Sequence, residues 1–115
     1  MTVRTTGELA TIIAIRRDAA EQNARNGHEL PIIQLAPSVC RNWQIHIHCA
    51  LRELGFSKVS RLERLTFLSE IFGRHLSSTN DLCWPEVQAF CGAVNIELMA
   101  KDLRSIANDY VLLRL

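Results

Sequence analysis

The sequence predicts an all-α fold: a compact orthogonal bundle of about five helices in a single domain over residues 1–115. Apolar residues recur at steps of three and four through most of the chain, which is the spacing of one helix face. Glycine, proline and short polar stretches interrupt this pattern at intervals that suit helices of ordinary length. A length of 115 residues with 48% hydrophobic residues is enough for one core without metals or disulfides.

The first helix is predicted to begin near Thr6. Thr5 or Thr6 can cap its free backbone N–H groups, and Glu8 suits the positive end of the helix dipole. Gly27 is a plausible left-handed stop, and Pro31 forbids continuation. The residues expected on the inner face are Leu9, Ile12, Ile13, Arg16 and Ala20.

The apolar connector 30–37, LPIIQLAP, lies between two prolines and is predicted to pack as an extended piece or one helical turn. A second helix follows, with Ser38 as its expected cap and Gly55 as its stop. The alternation within QIHIH (residues 44–48) resembles a strand, but the length and flanks of the segment favour a helix. Its expected inner face consists of Val39, Trp43, Ile47, Ala50, Leu51 and Leu54.

The third helix is predicted to open at Ser60, because Ser60 and Glu63 have the spacing of a capping box. Gly73 should end it. The polar segment 77–81, SSTND, supplies turn chemistry before the next helix. The inner face of the third helix is expected to contain Leu62, Leu65, Leu68, Ser69 and Phe72.

The fourth helix is predicted over Trp84–Val94, since Pro85 fits a first helical turn and Glu86 complements the dipole there. The last helix is predicted from about Ile96 to Leu112. The spacing of its apolar residues also fits a short coiled-coil seam of two heptads. The last helix is therefore expected either to pack in the core or to contact a second copy of the chain in a homodimer. The expected inner residues of these two helices are Val87, Phe90, Cys91 and Val94, then Met99, Leu103, Ile106, Tyr110 and Leu113.

The sequence contains no motif of an enzyme, so a non-enzymatic protein with no cofactor and no metal site is predicted. Nucleotide-binding glycine fingerprints and a nucleophile elbow are absent, and acidic residues occur singly. His46 and His48 lie about 200° apart on a helix and cannot both reach one ion. The four cysteines lack a Cys-x-x-Cys pair and are predicted to be free, buried thiols.

The chain is expected to be cytoplasmic, without a membrane partner. Its most apolar segment, ELATIIAI (residues 8–15), is too short to span a bilayer, and no signal-peptide cleavage pattern follows it. Free thiols suit the same reducing compartment.

Net charge is only +1, but basic residues are concentrated in the middle of the chain. Residues 41–75 contain six arginines and lysines against three acidic residues. A helix–turn–helix-like pair, Ser60–Phe72 and Trp84–Val94, would present some of these to nucleic acid phosphates. Its second helix carries no Arg or Lys, so phosphate contact from the third helix is the predicted mode. The candidate nucleic-acid-binding residues are Arg52, Lys58, Arg61, Arg64 and Arg74.

A protein-interaction module, such as an adaptor or an inhibitor of a host or phage machine, is the alternative. It would act through the last helix and the region of Trp84. Aromatic residues are frequent anchors of interfaces, and the acidic segment around Glu86 suits a basic partner. The candidate partner-binding residues are Trp84, Glu86 and Tyr110.

Residues 60–94 also resemble a short helical motif of actinobacterial and phage proteins of DNA metabolism, including recombination-associated ones. The resemblance implies an accessory binding protein of phage or mobile-element type and assigns no catalytic residue. The chain departs from the motif at Cys83, where a helix-capping threonine is usual, so that either Asn80 or Asp81 is expected to take over the cap or the helix is expected to begin differently. The matching residues are Glu63, Arg64, Leu65, Ser69, Gly73, Arg74, Ser77, Ser78, Asp81, Leu82 and Glu86.

Overall fold

The computed structural model describes residues 3–26, 30–56 and 61–111. Within these ranges the chain forms five α-helices and no strand, which confirms the predicted fold class. Two short 3₁₀ turns, Ile32–Gln34 and Thr79–Asp81, lie between helices. The helices are α1 (Thr6–Asn26), α2 (Pro37–Glu53), α3 (Arg61–Phe72), α4 (Trp84–Val94) and α5 (Glu97–Val111). Over the same ranges, no helix has the length and apolar character that crossing a bilayer requires.

Helix α1 begins with a capping box. The backbone N–H of Glu8 donates to Thr5 Oγ1 at 3.1 Å, and the N–H of Thr5 donates to Glu8 Oε1 at 2.7 Å. This reciprocal pair satisfies two of the N–H groups that a helix start leaves without partners. The expected stop at Gly27 and the expected cap at Ser60 lie outside the described residues.

The start of α2 differs from the prediction. The helix begins at Pro37, and its N-cap is Ala36, which makes no side-chain cap. Ser38 lies inside the first turn, so the prediction that it caps the helix was wrong. Proline replaces the cap here, because its ring fixes a helical φ and it has no N–H to satisfy.

The connector before α2 combines both predicted conformations. Pro31 forms an isolated antiparallel bridge with Cys83, and Ile32–Gln34 then makes one 3₁₀ turn. The N–H of Ile32 donates to the carbonyl of Leu82 at 2.8 Å, and both of these side chains are fully buried. The apolar connector therefore packs, and it fastens the chain before α2 to the segment before α4.

The core is centred on Phe67 of α3, which is fully buried. Its ring lies 4.9 Å from the ring of Phe56, 6.0 Å from that of Phe90 and 5.9 Å from that of Tyr110, measured between centroids. These aromatic contacts join α3 to the end of α2, to α4 and to α5. One apolar cluster receives residues from all five helices.

The inner face of α1 is rotated from the predicted one. Of the five residues expected there, only Ile12 is buried, while Leu9 and Ile13 are 47% and 51% exposed. Arg16 and Ala20 are exposed as well. The buried residues of α1 are Glu8, Thr11, Ile12, Ile15 and Ala19.

The inner face of α3 was also mispredicted in part. Leu62 is 68% exposed, whereas Phe67 and Ile71 are fully buried. In α2, Val39 is 42% exposed, although the rest of its predicted stripe is buried or half-buried. In the last two helices Val87, Phe90, Val94, Leu103 and Ile106 are buried and Cys91, Met99 and Tyr110 are half-buried, while Leu113 lies outside the described residues.

Arg16 caps the carboxyl end of α3. Its Nε and Nη2 donate to the carbonyls of Ile71 and Glu70, both at 2.8 Å. The guanidinium lies against Gly73, where an added Cβ would come within 2.8 Å of Arg16 Cζ. Gly73 has a φ of +66°, the left-handed conformation that ends many helices. The glycine thus both ends α3 and leaves space for the capping arginine.

Replacing Gly73 with alanine is expected to destabilise the protein more than replacing Gly55. Both glycines have positive φ, so each alanine carries a strain of about 1–2 kcal/mol. An added Cβ at Gly55 meets nothing within 4 Å, whereas at Gly73 it displaces Arg16 from the α3 carbonyls. We expect Gly73→Ala to cost about 1 kcal/mol beyond Gly55→Ala, near the value of one hydrogen bond. Urea unfolding measures both, and equal losses would contradict the capping role of Arg16.

Candidate nucleic-acid interface

The outer side of α2 carries a stripe of basic residues. Arg41, Ile45, His48 and Arg52 are all exposed, and their spacing of four, three and four places them along one helix face. The buried residues of α2, which include Ile47 and Leu51, occupy the other side of the helix. Within the described part of the chain, the side chains of Arg41 and Arg52 make no hydrogen bond or ion pair.

The first turn of α3 carries two further arginines. Arg61 is exposed and Arg64 is half-buried. Burial, followed by the positive charge of Arg64, lowers the pKa of His48. Arg64 is therefore near enough to α2 for its charge to be felt there. We refer to Arg41, His48, Arg52, Arg61 and Arg64 as the basic face.

The side chain of Arg61 is oriented by a hydrogen bond to a neutral group, not by an ion pair with a carboxylate. One Nη2 N–H donates to the backbone carbonyl of Ser77 at 3.0 Å. A carbonyl is neutral, so the guanidinium keeps its full positive charge and further N–H donors. The contact orients Arg61 towards the turn that follows α3.

Arg74, predicted as a phosphate contact, is engaged elsewhere. Its Nε and Nη2 donate to the two carboxylate oxygens of Glu86 at 3.1 and 2.5 Å, and Nη2 also donates to the carbonyl of Asp81 at 3.0 Å. The bond to Glu86 raises the pKa of Arg74. Arg74 and Glu86 were predicted for two different sites, but they form one ion pair. Lys58 lies outside the described residues.

Glu86 also caps α4. Its Oε1 accepts the backbone N–H of Cys83, the N-cap residue, at 2.9 Å. Asp81 makes a separate turn, because its Oδ2 accepts the N–H groups of Ser77 and Ser78, each at 3.1 Å. The expectation that Asn80 or Asp81 caps α4 was therefore wrong, since a carboxylate inside the helix performs that role at the Cys83 position.

The two tryptophans form a stacked pair. The rings of Trp43 and Trp84 lie 6.3 Å apart at an angle of 26°, and both residues are half-buried. Trp84 therefore belongs partly to the α2–α4 contact and partly to the surface. Beside Trp43 on α2, Val39 and Ile45 are exposed.

Tyr110, the third predicted partner-binding residue, lies in a polar network. Its hydroxyl donates to Glu70 Oε1 at 2.5 Å. Burial, together with this hydrogen bond, raises the pKa of Tyr110 to about 12. Glu70 also accepts two hydrogen bonds from Arg4, at 2.5 and 2.6 Å. The structure thus places Tyr110 where it links α5 to α3 and to the N-terminal segment.

The helix pair expected to present the arginines is not arranged as a helix–turn–helix. The backbone of α3 approaches those of α1 and α5 most closely, whereas α4 packs against α1, α2 and α5. Phe67 and Phe90 bring α3 and α4 into contact through their rings. The basic face is instead made from α2 and the start of α3.

The cysteines and histidines do not form a metal site within the described ranges. No group of three or more His, Cys, Asp or Glu side chains is placed to hold an ion there. All four cysteines are free thiols, but only Cys40 is buried. Cys49 is exposed, which corrects the expectation of buried thiols. Burial raises the pKa of Cys91 to about 11, so this thiol is a poor nucleophile at neutral pH.

Sequence reasoning missed Arg41 and His48 as members of the surface. The signal was present, because residues 41, 45, 48 and 52 have helical spacing on the side away from the apolar stripe. The guanidinium groups on α2 and at the start of α3 are suited to phosphate oxygens, which arginine binds through paired N–H donors. No protein-family model matches the chain, and comparison with curated proteins and with solved structures likewise found no match.

Proposed function

We propose that the chain is a non-enzymatic nucleic-acid-binding protein that contacts the phosphate backbone through its basic face. The observation that carries the proposal is the stripe of Arg41, His48 and Arg52, with no carboxylate paired to either arginine in the described part of the chain. Arg61 and Arg64 extend this surface onto α3. Phosphate contacts fix position without reading sequence, so we expect little sequence preference.

The charge count of the basic face sets the expected salt dependence. Four arginines neutralise up to about four phosphates, which gives a slope of log K against log salt of about −3 to −4 on duplex DNA. His48 adds little to this slope at neutral pH, because its lowered pKa keeps the imidazole largely neutral. Binding should therefore be strong at low salt and weaken steeply as salt is raised.

Removing two of these charges should weaken binding in a defined way. We expect Arg41→Ala/Arg52→Ala to lower the affinity for a fluorescein-labelled 20-base-pair duplex about tenfold or more at low salt, since both contacts are charge-assisted. The salt slope should fall in magnitude by about two, one for each phosphate contact. Fluorescence anisotropy titrations at several salt concentrations measure both quantities.

A matched control is available on other helices. Arg25 of α1 and Arg104 of α5 are exposed arginines outside the basic face. Arg25→Ala/Arg104→Ala removes the same charge and should leave both affinity and slope nearly unchanged. Equal losses in the two double variants would indicate a general charge effect, and absence of binding at low salt to duplex, single-stranded DNA and RNA would contradict the proposal.

The resemblance of residues 60–94 to a motif of phage and actinobacterial DNA metabolism supports an accessory role in that setting. The resemblance suggests that this nucleic-acid binding serves DNA metabolism, recombination included. Two of the matching residues, Glu86 and Arg74, form the ion pair that stabilises the turn before α4. The motif is therefore compatible with a folding role for these residues rather than a contact with nucleic acid.

Protein binding through the Trp43–Trp84 pair is a second candidate function. The stacked, half-buried rings and the neighbouring exposed Val39 and Ile45 provide apolar area of the type that anchors interfaces. Such an interface depends little on salt, in contrast to phosphate contacts. A partner that stays bound at high salt and after nuclease treatment would favour this second function.

A further inference from the structure

Helix α1 has a second apolar stripe that the core does not use. Its buried stripe is complete without Leu9 and Ile13, which remain about half exposed in successive turns. Ala20 is exposed two turns further along the same side, and Arg16 and Arg17 lie between. Single exposed apolar residues are common on protein surfaces, but here they are aligned. We refer to Leu9, Ile13, Arg16, Arg17 and Ala20 as the α1 outer face.

The α1 outer face leads into a cleft between α1 and the α3–α4 connection. This cleft has a volume of about 440 Å³, and Arg16 and Ala20 line it together with Ala19, Phe72 and Pro85. Its volume lies within the roughly 300–1,000 Å³ typical of binding pockets. Bulky apolar side chains from a partner can therefore be accommodated at the end of the stripe.

The charge of the α1 outer face is positive. Arg16 donates only to backbone carbonyls, and Arg17 has no ion pair with any described residue. Glu21 lies one turn after Arg17, but no ion pair joins them. The carboxylates that border the cleft are already bonded, because Glu86 accepts from Arg74 and Asp81 accepts from two backbone N–H groups.

The length and spacing of the stripe fit a helical partner. From Leu9 to Ala20 the face extends roughly 16 Å along the helix axis, at 1.5 Å per residue, or about three turns. An amphipathic helix laid into such a groove places its own apolar residues at the same intervals. Acidic residues beside that apolar stripe would meet Arg16 and Arg17.

A second copy of this chain is a poor occupant of the α1 outer face, because the copy would present the same positive charges. A two-fold symmetric interface brings the same patch of both copies together. Arg16 and Arg17, near the middle of the face, would then bring four positive charges into one interface, and like charges brought close together oppose association. Charge complementarity thus favours a different, acidic chain.

We propose that the α1 outer face and the adjoining cleft bind an acidic amphipathic helix of a partner protein. Apolar side chains of that helix contact Leu9 and Ile13 and enter the cleft beside Ala20 and Phe72. Its carboxylates pair with Arg16 and Arg17. This binding is separate from the nucleic-acid contacts proposed for α2 and α3.

Selection of peptides from a displayed random library against the full chain tests the proposal. The selected peptides should share Leu, Ile or Phe at helical spacing together with Asp or Glu. Fluorescence anisotropy with a labelled selected peptide should show at least a tenfold loss of affinity for Ile13→Asp. Arg17→Glu, a charge reversal at an exposed position that disturbs no packing, should give a similar loss.

Ile96→Asp is the matched control, since Ile96 is as exposed as Ile13 but lies just before α5, outside every surface to which binding is assigned. It should bind the peptide as the unmodified chain does, and circular dichroism should show all three variants folded. Peptides without the acidic amphipathic pattern, or binding that Ile13→Asp and Arg17→Glu leave unchanged, would overturn the proposal. Self-association of the chain that Ile13→Asp abolishes would also overturn it, because the face would then be occupied by a second copy.

Discussion

Replacing Phe67 with alanine is expected to lower the free energy of unfolding by about 3–5 kcal/mol, the range for large aromatic residues removed from a core. The side chain is fully buried, and its ring contacts rings of Phe56, Phe90 and Tyr110. Those three residues come from different elements, so one substitution removes packing at three junctions. A domain with about 5–15 kcal/mol of total stability loses a large part of it.

Leu62→Ala on the same helix is the control for this prediction. Leu62 is 68% exposed, so its loss should change stability by no more than about 0.5 kcal/mol, as at other surface positions. Phe67→Leu, which keeps much of the volume, should have an intermediate effect. Urea unfolding followed by circular dichroism compares the three variants. If Leu62→Ala were the more damaging, the inner face of α3 would be the one first predicted from the sequence.

The ends of helices were predictable because their signals are local. Thr5 and Glu8 form the cap of α1 within four residues of each other, and Gly55 and Gly73 have the positive φ that their positions after apolar stripes suggested. Each such signal is contained in one turn of chain. The prediction that Ser38 caps α2 was wrong because Pro37, one residue earlier, already provides a suitable helix start.

The inner faces of α1 and α3 were less predictable because each helix carries more apolar residues than one face can hold. In α1, Ile12 and Ile15 point inward, whereas Leu9 and Ile13, with equally good spacing, do not. The choice between the two stripes is made by the neighbours. In the observed rotation of α1, Arg16 reaches the carbonyls at the end of α3.

The sequence predicted that a basic surface would come from the middle of the chain, but it did not predict which residues form that surface. The excess of arginine in residues 41–75 can be counted from the sequence. Arg74 is not part of the basic face because it pairs with Glu86, twelve residues later. Once the turn before α4 has folded, Arg74 Nη2 lies 2.5 Å from Glu86 Oε1. Pairing of that kind depends on the path of the chain between the two residues, which charge counting does not describe.

The N-terminal segment is attached to the bundle by a polar network around Arg4. Its side chain is only 9% exposed and donates to Glu70 through Nε and Nη2 and to Asp109 through Nη1. Glu8 lies 3.8 Å from the same guanidinium. One arginine thus joins the start of α1 to α3 and α5. Burial disfavours the charged form of Glu70, but hydrogen bonds from Arg4 and Tyr110 outweigh it and lower its pKa.

Arg4→Ala is therefore expected to cost about 2–4 kcal/mol at pH 7, between the value of a surface ion pair and the cost of breaking a buried one. The reason is that Glu70 and Glu8 keep their charge while losing the group that compensates for their burial. Arg17→Ala, which removes an exposed arginine of α1, should change stability by no more than about 0.5 kcal/mol. Urea unfolding of both variants at pH 7 measures the difference.

The effect of Arg4→Ala should shrink in acid. A carboxyl group whose pKa is lowered by folding stabilises the native state at pH values above its ordinary pKa, which for Glu70 is 4.5. This stabilisation is lost as the pH falls through the lower pKa that the group has in the folded protein. In the variant, burial is no longer opposed by Arg4, so Glu70 takes up a proton more readily and the penalty is relieved. The difference in unfolding free energy between the unmodified chain and Arg4→Ala should therefore narrow as the pH drops below 4.5. A difference that stays constant between pH 7 and pH 4 or below would mean that Arg4 stabilises the fold by packing rather than by its charge.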